Sequence, residues 1–446
     1  MPRDFLPAAT SLPGLPGAAR PPRVLVIAEA ANPEWASVPL VGWSLASALR
    51  RVADVHIVTQ IRNRGAILRA GLREGIDFTA IDSERVARPV WAVASALRMG
   101  EGKGWTMLQA LGVLSHAYFE RRIWQSFGPR LLAGEFDIVH RVTPLSPTVP
   151  SPIAARCRAA GIPFVLGPLN GGVPWPAGFD ETRRREREWL SYVRGAYRLM
   201  PGRQATLGAD AILAGSRHTL SEIPAAHRSR CIYLPENGID PERFSRVAAP
   251  EPGPLRACFI GRMVPYKGPD MLLEAAAPLL RAGAMTLEMI GAGPMLAELK
   301  ATVAAEGLSE AVTFHGWLPH TAVQDVAVRC GLLAFPSIRE FGGGVVLEAM
   351  ALGLAPLVVD YAGPGELVGP GTGFKVPVGR RADIIARFRA ELARLATHPD
   401  EVAAAGVAAR GRVTADFTWA CKAAQLREVY DWVLGARPAR PDFFQE

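Results

Sequence analysis

A doubly wound α/β architecture, divided between two separate sheets, is the fold this sequence predicts. Three features predict it: short apolar runs rich in Val and Ile, helix-length stretches between them, and a length of 446 residues, which exceeds one small domain. The first series of runs is RVLVIAEA (23–30), DVHIVTQ (54–60), FDIVH (136–140), IPFVLGP (162–168) and ADAILAGS (209–216). A second series is LRACFIGR (255–262), MTLEMIGAG (285–293), AVTFHGW (311–317), GLLAFPS (331–337) and APLVVDY (355–361). Continuous apolar runs of this kind are buried parallel strands, and ten of them divide better into two sheets than into one.

Between the two series, IYLPENGIDPERFSRVAAPEPGPLR is broken by Pro and Gly and reads as a connector. The expected organisation is therefore a leader over 1–20, a first α/β domain over 21–248, a second over 249–412, and a closing segment over 413–446. In that last segment FTWACKAAQLREVYDWVL (417–434) has apolar residues at three-to-four spacing, an amphipathic helix expected to pack back on the first domain.

Composition excludes several classes. With 49% apolar and 21% charged residues, the chain is neither disordered nor collagen-like. Fifty Lys and Arg against 42 Asp and Glu leave +8, which favours anionic ligands or an acidic membrane surface without indicating nucleic acid. The five cysteines are far apart and form no C-x-x-C pair, so neither a disulfide framework nor a zinc site is suggested and a reducing cytoplasm is expected. The N-terminal stretch is interrupted by Pro and Gly and has no signal-peptide core. The longest uncharged run, 159–179, carries four prolines and cannot be one membrane-spanning helix.

The most informative stretch is PSIREFGGGVVLEAMALG (336–353). Gly342, Gly343 and Gly344 follow an apolar strand and open a helix that runs on from Val345. Glycines at a helix entrance let backbone N–H groups approach a ligand, and the helix dipole favours an anion there. Glu340 precedes this cradle and Glu348 lies within the helix, a carboxylate pair suited to hydroxyl-rich ligands; the bland alternative is a loop charge and a helix-face charge. A second constellation is FIGRMVPYKGPDMLLEA, where Arg262 and Lys267 leave the C-terminal end of a strand, the place where ligands of open α/β sheets collect. Two cations on one loop can neutralise a diphosphate, although a solvated surface pair would look the same. GAGP (291–294) lacks the third glycine of a dinucleotide fingerprint, no G-x-x-x-x-G-K-[ST] occurs, and no D-x-D pair offers a metal site.

Taken in order, Arg262, Lys267, GAGP, FHG (314–316), and Glu340 followed seven residues later by Glu348 resemble family 4 of the retaining glycosyltransferases. The resemblance spans roughly 232–376, and the first half agrees in layout. It implies the GT-B fold, two Rossmann-like domains facing across a cleft. It implies that Arg262 and Lys267 hold a donor diphosphate, that Glu340 with the backbone of Gly342, Gly343, Gly344 and Val345 meets the transferred sugar and distal phosphate, and that Glu348 binds ribose hydroxyls. Neither cofactor nor metal is expected. Phe341 stands directly after Glu340, where the family often has Gly, which alters the sugar pocket.

In the first half, His140 closes the strand FDIVH before an irregular loop. The resemblance implies an active-site histidine in this region, where many members carry His-x-His and this chain has Val142 at the second position. A lone strand-end histidine is as often a structural residue. Gly42, where a Gly pair is common, and Asn170 in GPLNGGVPWP (167–176) are expected on the acceptor side, with Trp175 as a further sugar contact. The stretches 105–124 and 181–198 mix basic and aromatic residues on helical patterns; a solvated helix or an anionic lipid surface would use such a face. The expected activity is transfer of a sugar, with retention, from a nucleoside-diphosphate sugar to a glycan, small-molecule or lipid-linked hydroxyl acceptor, in the cytoplasm or peripherally at the inner membrane face. The rivals are a sugar-nucleotide epimerase or hydrolase, a non-catalytic binding subunit, and an NAD oxidoreductase, the last disfavoured by the incomplete fingerprint.

Overall fold

The computed structural model describes residues 20–89, 105–185 and 202–444. The expected leader, apart from Arg20, and most of the basic stretch 181–198 lie outside the described residues.

Seven strands form the first sheet: β1 (Arg23–Ala28), β2 (Asp54–Gln60), β3 (Phe78–Ile81), β4 (Ile138–Thr143), β5 (Phe164–Leu169), β6 (Ala211–Ala214) and β7 (Cys231–Tyr233). Their order is β3-β2-β1-β4-β5-β6-β7, with every pair parallel. The second sheet holds β8 (Leu255–Ile260), β9 (Met285–Ile290), β10 (Val312–Gly316), β11 (Leu332–Phe335), β12 (Ala355–Asp360) and β13 (Phe374–Pro377). Its order is β10-β9-β8-β11-β12-β13, again parallel. All ten apolar runs become strands. The three unforeseen ones, β3, β7 and β13, are each three or four residues long and sit at sheet edges, where one exposed flank removes the need for a long apolar run.

Helices cover both faces of each sheet, so central strands such as β4 and β5 are buried at every position. Two core clusters flank the first sheet, one around Val26, Ile57 and Val165 and the other around Leu25, Val139 and Leu166, while a third fills the second domain. Strand order reverses between β1 and β4 and between β8 and β11, and each reversal opens a crevice at the C-terminal strand ends. The stretch 105–124, read as a solvated or lipid-facing helix, is part of Trp105–Leu132, and that helix packs Phe119, Ile123, Phe127 and Leu131 into the cluster around Leu25, Val139 and Leu166. No helix among the described residues is long and apolar enough to cross a membrane.

The chain crosses between domains twice at one place. The first crossing follows β7; the second follows the helix Pro399–Asp416, which packs on β12 in the second domain. The two passes are stitched together by Ile239 N–H to Phe417 O (2.8 Å) and Trp419 N–H to Ile239 O (3.1 Å). Thr418 then caps the final helix, Trp419–Val433, by accepting from the Cys421 N–H. That helix returns to the first domain and packs on the helix Val38–Leu49, burying Leu426, Val429 and Tyr430 in the first core. Further contacts join the domains: Glu366 accepts from the Arg217 N–H and the Tyr233 hydroxyl, and Phe179 of the first domain is buried in the second core.

Candidate active site

A cavity of about 1080 Å³ lies between the two domains. Its second-domain wall begins where β8 ends. The turn Pro265–Lys267 leads into the helix Pro269–Arg281, opened by a proline in its first turn with Asp270 behind it, and this places Lys267 at the cavity. Lys267 Nζ pairs with Glu340 Oε2 at 2.8 Å and lies 5.4 Å from the Phe335 ring centroid. Burial alone would lower the Lys267 pKa; the Glu340 carboxylate prevails and raises it, so the ammonium is held charged.

Glu340 stands on the loop after β11, and the glycine run carries the chain from that loop into the helix Gly344–Ala351. Gly343 adopts φ 60°, and a β-carbon there would meet Leu367 Cδ1 at 2.7 Å. Gly342 is pressed just as closely: a β-carbon would lie 1.9 Å from Glu236 Oε1 and 2.3 Å from Asn237 Nδ2. Gly342, Gly344, Val345 and Glu348 all line the cavity, whereas Gly343 faces inward and is buried. Burial pushes the Glu348 carboxyl up to about 7 against the opposing pull of Arg243 and Lys267. The mouth of this helix is therefore open to the cavity, with one lysine and two carboxylates around it.

Several sequence expectations are corrected. His140 is not at the cavity: it lies inside the central strand β4, fully buried. Its Nε2 donates to the Gly167 carbonyl and its Nδ1 accepts from the Tyr430 hydroxyl, both at 2.7 Å, so neither nitrogen is left for a substrate. Burial lowers its pKa to about 4, which keeps the ring neutral. Arg262 shares a loop with Lys267, but its side chain is exposed and does not line the cavity. Gly42 also does not line it; a β-carbon there would sit 2.1 Å from the Ala30 carbonyl, so this glycine serves the close packing of helix Val38–Leu49 on the end of β1. Trp175 is turned to the second domain, where Arg339 lies 5.0 Å from its ring centroid and 5.3 Å from that of Phe341. Asn170 does line the cavity, and its side-chain Nδ2 donates to Glu236 of the connector.

The connector supplies what sequence reasoning missed. Glu236, Asn237, Gly238 and Arg243 all line the cavity. The signal was present as polar residues in ENGID, a segment read for its turn-making Pro and Gly alone. The first-domain wall adds aromatic surface from Trp35, Trp43 and Trp419, with Arg51, Arg62 and His116 among its polar groups.

Two doubly wound domains with a ligand-sized cavity at their facing strand ends define the GT-B class. The fold agrees with the solved structure of Anabaena Alr3699/HepE in complex with UDP and glucose, with a TM-score of 0.58 at 17% identity over 92% of this chain and 100% of that one. The model of the family "Glycosyl transferases group 1" matches residues 241–397. The GDP-mannose-dependent alpha-(1-6)-phosphatidylinositol monomannoside mannosyltransferase of Mycobacterium tuberculosis is 31% identical over 313 residues, covering 65% of this chain and 74% of that protein. The 2-deoxystreptamine glucosyltransferase of Streptomyces kanamyceticus is 30% identical over 33% of this chain, which spans only 41% of that relative's length. The chain belongs to the group 1 glycosyltransferases.

Proposed function

We propose that this chain transfers a sugar, with retention of anomeric configuration, from a nucleoside-diphosphate sugar to a hydroxyl acceptor of glycan or lipid-linked type. The observation that carries the reading is the Lys267–Glu340 pair set beside the cavity-lining mouth of helix Gly344–Ala351. A diphosphate entering the cavity exchanges with Glu340 for the Lys267 ammonium, so charge-assisted hydrogen bonds replace the ion pair. Its distal oxygens meet the N–H groups of Gly344 and Val345 at the positive end of the helix. Glu340, released, turns its oxygens to sugar hydroxyls, and Glu348 serves those of the ribose. Arg243, which acts on Glu348 electrostatically, supplies a further positive charge beside that carboxylate in place of Arg262.

The acceptor oxygen attacks the anomeric carbon as the bond from that carbon to the phosphate oxygen breaks. The electron pair goes to the departing diphosphate, whose oxygen takes the acceptor proton on the same face. Catalysis then consists of stabilising the leaving charge and aligning the two substrates, and no side-chain nucleophile is required. The relatives named above are named for cyclic polyhydroxyl acceptors, 2-deoxystreptamine and phosphatidylinositol monomannoside, and the aromatic wall of Trp35, Trp43 and Trp419 suits the apolar face of such a ring. Lipid-linked acceptors would bring the enzyme to the inner membrane face.

The test is release of nucleoside diphosphate from a panel of nucleotide sugars with and without acceptors. Release that depends on acceptor, with the product linkage retaining configuration, is expected. Glu340→Gln should lower turnover by at least about a hundredfold, as loss of a charged contact to the reacting sugar does, while the variant stays folded. Wild-type turnover in that variant would refute the assignment, and turnover of donor alone to a new sugar would indicate the epimerase or hydrolase reading.

A further inference from the structure

The connector carries a carboxylate whose surroundings are built for a ligand. Glu236 is 5% exposed, yet it lines the cavity together with Asn170, Lys267, Glu340 and Gly342. Two glycines make space for it. A β-carbon at Gly342 would lie 1.9 Å from Oε1, and one at Gly215 would lie 2.7 Å from Oε2. Oε1 therefore faces the glycine loop of the second domain, and Oε2 faces the end of the first sheet. Asn170 Nδ2 donates to Oε1, which fixes the amide so that its oxygen points elsewhere. Asn170 Oδ1 and Glu236 Oε2 are both buried and have no donor among the described residues.

Buried acceptors without donors are costly, and an apolar pair of the same shape would serve a purely structural junction better. The ligand chemistry that answers such a pair is a set of closely spaced hydroxyl groups, each able to donate. A phosphate does not answer it, since it brings negative charge to a carboxylate and few donors. The position agrees: Oε1 abuts Gly342, two residues beyond Glu340, and hence the end of the cavity where the foregoing reading sets the sugar and not the nucleotide.

We propose that Asn170 and Glu236 form a sugar-hydroxyl-binding pair at the junction of the two domains, which selects the sugar carried by the donor. The pair rests on the nucleotide-sugar reading of the cavity and deepens it. It joins three parts of the chain, the loop after β5, the connector and the donor-side glycine loop, so sugar recognition is coupled to the seating of one domain on the other. Asn170 and Glu236 are specificity residues in this scheme; the departing diphosphate is still held by Lys267 and the helix mouth.

The test is calorimetric titration of the full chain with UDP, GDP, ADP and dTDP and with their sugar conjugates. Wild type should bind one sugar conjugate more tightly than the corresponding bare nucleotide. Glu236→Gln preserves side-chain shape, and Asn170→Leu removes the amide at similar volume. Both should weaken that sugar conjugate by about tenfold or more while leaving the bare nucleotide unchanged, the expected loss for hydrogen bonds made to the sugar alone. Unchanged affinity for the sugar conjugate in both variants would overturn the proposal, and so would equal weakening of conjugate and bare nucleotide, which marks a structural junction. Binding of bare nucleotide by wild type with no gain from any sugar also overturns it while sparing the nucleotide site. Absence of all nucleotide binding by wild type overturns the underlying reading as well.

Discussion

Glu236 shows how a single residue's burial becomes a measurable property. Burial raises its carboxyl to about 7, against the hydrogen bond from Asn170 and the charge of Lys422, with Glu366 adding to the rise. In the unfolded chain the same group titrates near the ordinary carboxylate value, about 4.3. Between these values the folded state binds the extra proton, so the contribution of Glu236 to stability falls as pH rises through this window and is flat above it. Glu236→Gln removes the titration. Relative to wild type, the variant should gain stability from pH 5 to pH 8, by up to about 3 kcal/mol, read from urea unfolding at each pH. A pH-independent difference would show that the carboxyl titrates normally. The opposite residue-scale lesson comes from His140, whose strand-end position suggested catalysis. Which face a strand residue occupies is set by its place in the sheet, and β4 is central and covered on both sides.

At the scale of elements, the segment from β11 through the glycine run to helix Gly344–Ala351 was legible because its determinants are local. An apolar run ends, glycines permit the turn, and a helix N-terminus follows. The structure adds the reason for one glycine that spacing could not supply, since Gly343 combines a left-handed backbone with close contact to Leu367. Gly343→Ala should lower stability by roughly 1–2 kcal/mol through backbone strain, with further loss from the clash, and should weaken nucleoside diphosphate binding as the helix mouth shifts. Thermal unfolding and calorimetric titration measure the two effects. A variant with wild-type stability would contradict the left-handed assignment. The connector failed to announce itself for the complementary reason. Its Pro and Gly explain the turns well enough, and nothing local in ENGID reveals that Glu236, Asn237 and Arg243 line one cavity with the glycine loop about a hundred residues later.

For the molecule as a whole, the decisive feature is the return of the C-terminal helix to the first domain. Tyr430 is fully buried, and its hydroxyl donates to His140 at 2.7 Å across 290 residues of sequence. Lys422 of the same helix, also buried, donates to the Pro235 carbonyl on the connector, so the helix holds both the first sheet and the crossing point. Tyr430→Phe should destabilise the chain by about 1–3 kcal/mol, because it leaves a buried imidazole nitrogen without its donor. Denaturant unfolding reads this, and a neutral effect would show that the helix is held by apolar packing alone. By itself the sequence determined the two-sheet architecture and the places of Lys267 and Glu340 on loops that lead from strands into helices, because buried parallel strands and helix entrances are written in short contiguous patterns. The tertiary structure alone decided that His140 is a core residue, that Arg262 stands outside the cavity, and that Asn170, Glu236 and Gly342 converge. Those facts depend on strand order and on how two domains are brought together, and contacts between residues far apart in the chain leave no periodic trace in it.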